Sequence, residues 1–562
     1  MSGDTEGGEV ALSENWATLW EAIAARQADH VAVVLGDVEI RWRDLEARAA
    51  RLAAALSAHG VGAGDKVAQL MYNCPEYLES TFAAFKVRAS TVNVNYRYRA
   101  PEVAHVLGDS GAAVLFFHAA FADVALAAAA VAPNCRVLVQ VHDGSGLPLA
   151  PGALDYDALV ADHAPMAPIP RSGDDELLLY TGGTTGLPKG VVWSHSGLFG
   201  ALAFTGYASM GLPLPETADE VGRVAAELNG AGNSPVNMTA PPLMHGTALF
   251  LAMSTFVLGG TVVLLGGRRF DAHELLRLVG RERVTQLSIV GDAFARPIVD
   301  ALEHPPNGVS YDLGSLRRIV STGATLSATH KEALMRHAPD AMVLDMIGAS
   351  EGGPFALAVT MPGQSPMDTA KFMATPTTAL FDEITWERIE PGSGRSGVLA
   401  SSGPMPLGYY RDAAKTAATF RVVDGVRYSV PGDHASIDAD GTVHLLGRGS
   451  ICINTGGEKV FPEEVEVAAR SHPGVVDCAA VGVPDERFGE AVALVVERAT
   501  PTLTADEIID HVRGLIATYK APRRIVFVDA LYRSPSGKAD YRWARQVADG
   551  AASAAAPASE TT

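Results

Sequence analysis

The chain has 562 residues, 48% of them hydrophobic and 19% charged, with a formal net charge of −20. That length supports a large core and more than one domain. The acidity excludes a general nucleic-acid or anionic-membrane binder, so an anionic substrate must be met by local cations, for which Lys189, Arg448 and Lys538 are candidates. Four cysteines, Cys74, Cys135, Cys452 and Cys478, are scattered without pairing or metal spacing, which suits a reducing compartment. The polar, acidic start, Met1 to Glu9, does not read as a signal peptide. No apolar run approaches the ~20 residues of a membrane span. The expectation is a cytoplasmic protein with disordered tails over 1–13 and 549–562.

In chain order, Trp16 to His59 reads as helix, short strands and helix, with Leu45, Ala49, Leu52 and Leu56 on one helical face. Lys66–Met71 predicts a strand, Tyr77–Lys86 a helix and Thr91–Asn95 a strand. Pro101–Leu107, Ala113–Phe117 and Arg136–Val141 continue the alternation, which implies layered α/β architecture. Two further apolar runs, Leu177–Tyr180 and Val191–Trp193, flank the segment Thr181-Gly182-Gly183-Thr184-Thr185-Gly186-Leu187-Pro188-Lys189-Gly190. It holds four glycines, three threonines and a lysine. Glycine lets backbone approach a ligand closely, and the N–H groups, hydroxyls and ammonium all suit a polyphosphate. Pro188 before Lys189, with no Ser or Thr after it, excludes a Walker loop. The strand that follows excludes a dinucleotide fingerprint.

This segment resembles the phosphate loop of the adenylate-forming enzymes: acyl-CoA synthetases, adenylation domains and firefly-type luciferases. Matching motifs recur in order from about Asn15 to Lys538. The resemblance implies a large N-terminal domain of layered α/β sheets with a small β-rich subdomain (14–448) and a small mobile α+β C-terminal domain (449–548). It also implies ATP, Mg²⁺ and coenzyme A as cofactors and a carboxylic acid as substrate. Before the strand at Thr91, Arg88-Ala89-Ser90 stands where the family has a small, Gly-rich turn.

Beyond the loop, Glu216–Asn237 is polar and rich in Gly and Asn, and reads as a surface excursion. In Pro241-Pro242-Leu243-Met244-His245-Gly246 the resemblance makes His245 a gate of the acyl pocket rather than an acid or base. Strands at Gly260–Leu265, Thr285–Val290, Arg318–Ser321 and Val343–Met346 alternate with a helix at Ala272–Val279. The Gly291–Pro297 segment reads as a turn unusual for the family. Thr322-Gly323-Ala324-Thr325 corresponds to the adenine loop. In Ile347-Gly348-Ala349-Ser350-Glu351, Ile347 replaces the customary aromatic and Ser350 a Thr, while Glu351 is the expected Mg²⁺ carboxylate. Met244, His245, Ile289, Val290, Gly291, Ile347 and Gly348 are the expected acyl-pocket lining.

By the same resemblance Asp433 binds the ribose hydroxyls and Arg448 supplies charge beside ribose and phosphate. Ser450 is the expected hinge, Gly456 and Gly457 flank the pantetheine tunnel, and Lys538, in Ser536-Gly537-Lys538, is the catalytic lysine. The reading is an ATP-dependent acid–CoA ligase with Lys538, Glu351 and Lys189 as catalytic residues. The Gly291–Pro297, Ile347-Gly348, Gly449-Ser450 and Ser536–Tyr541 segments look similar to those of actinobacterial fatty-acid and steroid side-chain acyl-CoA synthetases. Alternatives are an adenylation enzyme loading a carrier protein, a luciferase-like oxygenase, and a nucleotide- or acyl-binding regulator without catalysis.

Overall fold

The computed structural model describes residues 12–181, 187–203, 206–448, 453–455, 458–485, 489–516, 518–533 and 538–550. Ordinary patterning accounts for the elements. The helix Trp16–Arg26 starts where Asn15 caps Ala17 N–H, and it buries Trp16, Leu19, Trp20 and Ile23. Apolar runs with no alternation, such as Val114–His118, are strands covered on both faces.

Two sheets dominate the N-terminal part. In the first, strands Val31–Leu35, Thr261–Leu264, Val236–Thr239, Gln286–Ile289, Arg318–Thr322 and Met342–Ala349 run parallel. The sheet then turns antiparallel at Gly352–Thr360 and continues without a break into the β-rich part that contains Asp433–Ile437 and Thr442–Arg448. The second sheet runs from Gly408–Tyr409 through Lys189–Ser194, Glu176–Thr181, Ser90–Asn93, Lys66–Leu70 and Val114–His118 to Val137–Val141 and Leu154–Asp155. A third, small sheet, in which Gly489–Arg498 pairs with both Val475–Asp485 and Arg524–Val528, forms the C-terminal domain. In open α/β sheets ligands gather beyond the carboxyl ends of parallel strands. The segments after Thr239, Ile289, Thr322 and Ala349, all singled out by sequence, leave such ends.

Two expectations change. The polar stretch 216–237 is not a surface excursion: Ala218–Gly230 is a helix that Thr217 caps and that buries Val221, Val224, Ala225 and Leu228. It crosses the first helix so closely that a β-carbon on Gly222 would stand 2.6 Å from the Ala22 carbonyl oxygen. Its polar surface hid an apolar stripe at helical spacing. Likewise, Gly291–Pro297 is not a turn: the helix Asp292–Glu303 begins directly after Gly291 and carries Pro297 inside it. Finally, Arg88, in the left-handed region at φ 63°, has a structural account: its guanidinium grips both oxygens of Asp175, which also accepts from Asn15. No helix among the described residues is long and apolar enough to cross a membrane.

Candidate active site

The site assembles around the hairpin Glu176–Thr181 and Lys189–Ser194, whose last register pair is Thr181 and Lys189. Gly182, Gly183, Thr184, Thr185 and Gly186 lie outside the described residues. The hairpin's own geometry explains one glycine. A β-carbon at Gly190 would meet the Tyr180 ring at 2.7 Å, and that ring is fixed by its hydroxyl donating to Asp109 at 2.6 Å. His105 Nε2 hydrogen-bonds the Pro188 carbonyl at 2.9 Å. Lys189 forms an ion pair with Asp412, and that pairing holds the Asp412 carboxyl below its ordinary value. Asp412 also caps the helix Ala413–Thr419 through Lys415 N–H.

The strand Lys189–Ser194 reaches the segment around Glu351 by two routes. Trp193 Nε1 donates to the Ser350 carbonyl at 3.0 Å. Val191 pairs with Tyr409, whose hydroxyl donates to the Glu351 carboxylate. Ser429 Oγ donates to the Glu351 carbonyl at 2.6 Å, so both ends of this glutamate are held. On the other flank, buried Asn93 donates to the carbonyls of Tyr180 (2.9 Å) and Met244 (2.7 Å) and accepts from Tyr180 N–H. It thereby ties the hairpin to Met244, beside His245. Asn93, Tyr409 and Asp412 were not singled out from sequence as site residues. Each acts across long sequence separations that local spacing does not encode.

His245 precedes the helix Gly246–Phe256. Burial, with the charges of Lys538 and Arg97 adding to it, pushes its imidazole down to about 3. The ring is therefore neutral at physiological pH, and its buried Nε2 finds no hydrogen-bond partner among the described residues. Gly323, at φ 89°, opens a space that a β-carbon would fill: Val290 lies 3.7 Å from that position, Thr247 Oγ1 3.8 Å and Lys538 Cε 3.9 Å. Lys538, from the C-terminal domain, thereby reaches the loop Thr322–Thr325. Gly291, at φ 55°, is equally constrained, since a β-carbon would stand 2.3 Å from the Thr325 carbonyl oxygen. A β-carbon at Gly348 would approach Thr322 Oγ1 to 3.0 Å.

The remaining expected residues are located as follows. Ala324 and Thr325 continue the loop after Gly323, and Thr325 accepts from Asp292 N–H at 2.9 Å. Met244 and Val290 are buried, and Ile347 sits in the apolar cluster that includes Phe355 and Phe372. Asp433 and Arg448 are direct register partners across an antiparallel ladder. Ser450, Gly456 and Gly457 lie outside the described residues. Beside the gate, sequence reasoning missed a cavity of about 220 Å³ lined by Tyr72, Tyr96, Arg97, Phe270, Phe294 and Arg533.

Comparison with known proteins shows the family. The AMP-binding enzyme family matches residues 20–410, and the AMP-binding enzyme C-terminal domain matches 464–538. The chain is 40% identical over 540 residues to a 3-oxocholest-4-en-26-oate–CoA ligase of Rhodococcus rhodochrous, covering 95% of this chain and 96% of the relative. It is 42% identical over 544 residues to the medium-chain acyl-CoA ligase Mig of Mycobacterium avium, covering 94% and 97%. The ATP-bound structure of MatB from Rhodopseudomonas palustris superposes with a TM-score of 0.76 at 26% identity, over 95% of this chain and 99% of that one. An anthranilate CoA ligase, AuaEII, superposes at 0.80 with 23% identity over 96% and 98%, a likeness of fold. The chain belongs to the AMP-binding, adenylate-forming enzyme family.

Proposed function

We infer that this chain is an ATP-dependent acid–CoA ligase that converts a medium- or long-chain fatty acid, or a steroid side-chain carboxylate, to its acyl-adenylate and then to the CoA thioester. The observation that carries this reading is the position of Lys538 against Gly323, between the adenine loop and the His245 gate.

A carboxylate is a poor acyl donor because oxide would have to leave; joined to AMP it has a good leaving group. The acid is already ionised at neutral pH, so its attack on the α-phosphate of ATP needs no general base. What it needs is charge compensation where negative charge grows. Lys538 neutralises the approaching carboxylate and the α-phosphate. The segment Thr181–Gly190, with Lys189 exchanging Asp412 for phosphate oxygens, receives the pyrophosphate. Glu351 would hold Mg²⁺, and the oriented carboxylate beside Tyr409 fits a hard cation that also takes phosphate oxygens. When bound, that ion neutralises the phosphate oxygens. Gly323, Ala324, Thr325, Gly348 and Ser350 border the adenine, Asp433 accepts from the ribose and Arg448 adds charge. His245, neutral and within the electrostatic reach of Lys538, excludes water and shapes the acyl entrance rather than moving a proton.

For the second step the C-terminal domain, pivoting near Ser450, withdraws Lys538 so that a thiol can reach the acyl carbonyl. Gly456 and Gly457 then border the pantetheine arm. Arg97, Arg268, Arg269 and Arg533 ring the aromatic cavity beside the gate, a concentration of positive charge that suits the phosphates of CoA in an otherwise acidic chain. A carrier-loading enzyme of the amino-acid type would want an acid after the gate, and Gly246-Thr247-Ala248-Leu249 offers none. A regulator without catalysis would have no need to keep Lys538 and Glu351.

The test is a panel of acetate, octanoate, palmitate, benzoate and a steroid side-chain acid with ATP and CoA. From acetate upward kcat/KM is expected to rise roughly tenfold for every two methylenes at first, as apolar surface is buried. Acetate or benzoate as the best substrate overturns the substrate class. Absence of thioester with every acid overturns the ligase reading.

A further inference from the structure

The segment Gly291–Pro297 opens a helix that, from Asp292 onward, has no part in the chemistry above. Its helix makes two sets of contacts. At its first turn it is bolted to the loop that follows Gly323. Asp292 N–H donates to the Thr325 carbonyl at 2.9 Å. Asp292 Oδ1 accepts from Ser327 N–H (2.9 Å), Ser327 Oγ (3.1 Å) and His330 Nδ1 (2.9 Å). Burial alone would raise that carboxyl, but His330, Ser327 and the charge of Arg470 in the C-terminal domain hold it below its ordinary value.

Four residues on, at the spacing that stacks side chains on one helical face, Arg296 reaches the C-terminal domain. Its Nη1 donates to the Val476 carbonyl at 3.3 Å and lies 3.6 Å from Glu497 Oε1. The other oxygen of Glu497 accepts from Leu531 N–H at 2.9 Å, seven residues before Lys538. Next to Val476, Asp477 takes a two-pronged grip from Arg533, five residues before Lys538. One short helix therefore links the adenine loop to the root of the segment that carries Lys538. These contacts coexist with Lys538 lying against Gly323.

We propose that Arg296 is a positioning residue that seats the C-terminal domain on Val476 and Glu497 in the orientation that delivers Lys538 to Gly323, and so favours adenylation over thiol transfer. The inference rests on the two-step ligase reading. An ion pair this exposed adds little to global stability, with Arg296 39% and Glu497 18% exposed. Two domain orientations of similar free energy need only a small bias, however, to redistribute strongly.

The experiment measures the half-reactions separately in the full-length protein. One is single-turnover pyrophosphate release from octanoate and ATP without CoA. The other is thioester formation from supplied octanoyl-adenylate and CoA. A wild-type protein that performs neither overturns the ligase reading itself. If wild type performs both, Arg296→Glu is expected to slow the first by about tenfold while KM for ATP changes little and the second is unchanged or faster. Arg296→Lys, which keeps the charge, is expected to recover most of the loss. Both half-reactions falling together, the first remaining at the wild-type rate, or Arg296→Lys behaving like Arg296→Glu would each overturn the positioning role.

Discussion

The hydroxyl of Tyr409 donates to the carboxylate of Glu351, and Tyr409 is itself paired in sheet register with Val191, two residues past Lys189. The carboxylate proposed to hold the metal is thus oriented by a residue paired to the strand that begins at Lys189. Tyr409→Phe removes one hydrogen bond to a charged acceptor, worth about 1.5–3 kcal/mol. The expected result is roughly a tenfold or greater loss in the rate of pyrophosphate release at limiting Mg²⁺, partly restored by excess Mg²⁺. Titrating the half-reaction with MgCl₂ checks this. An unchanged Mg²⁺ dependence would show that the hydroxyl serves the fold alone.

Lys538→Ala separates the two chemical steps. The side chain lies at Gly323, where the carboxylate meets the α-phosphate in the proposed mechanism. Losing a cation that acts in the first transition state is expected to slow adenylation by ~10²-fold or more while supplied acyl-adenylate still reacts with CoA. An equal fall in both half-reactions would contradict the assignment.

The pH dependence of stability has a predictable acid limb. The fully buried His195 packs on Phe85, accepts from Trp16 N–H at Nδ1, and is pushed down to about 4 by burial. A free imidazole titrates near 6.5. Between those values the unfolded chain binds a proton that the folded chain refuses. The stability carried by the neutral ring is therefore complete above about 6.5 and is lost as pH falls toward 4. His118, also pushed down to about 4, acts in the same direction. His195→Asn keeps an acceptor for Trp16 and removes the titration. It is expected to flatten the loss of stability between pH 6.5 and 5 by about 2 kcal/mol. Urea midpoints at pH 5 and 7, followed by tryptophan fluorescence, measure it. Parallel pH dependence in variant and parent would refute the attribution.

What could be read from the chain was what local physics writes locally. A glycine-rich stretch between two apolar runs marked Thr181–Gly190, and resemblance to a family marked Thr322–Thr325 and the His245 segment; Asn93 bonds the carbonyls of both Tyr180 and Met244, so the first and last of these lie close together. Partnerships were harder. Asp412 answering Lys189, Asn93 bridging Tyr180 and Met244, and Tyr409 meeting Glu351 join distant parts of the chain, and no spacing rule connects them. The helix Ala218–Gly230 was missed because glycines and asparagines around it outweighed a narrow apolar stripe. The helix after Gly291 was missed because Pro297 reads as a breaker.

The strand Lys189–Ser194 carries Lys189 at one end, Val191 paired to Tyr409 in its middle, and Trp193 holding Ser350 beyond it. Its residues are therefore pleiotropic. In the proposed mechanism, a lesion such as Trp193→Ala would weaken nucleotide affinity and metal affinity together. Suppressors recovered for one defect would be expected to repair the other, and a screen for variants with only one of the two phenotypes should return positions outside this strand.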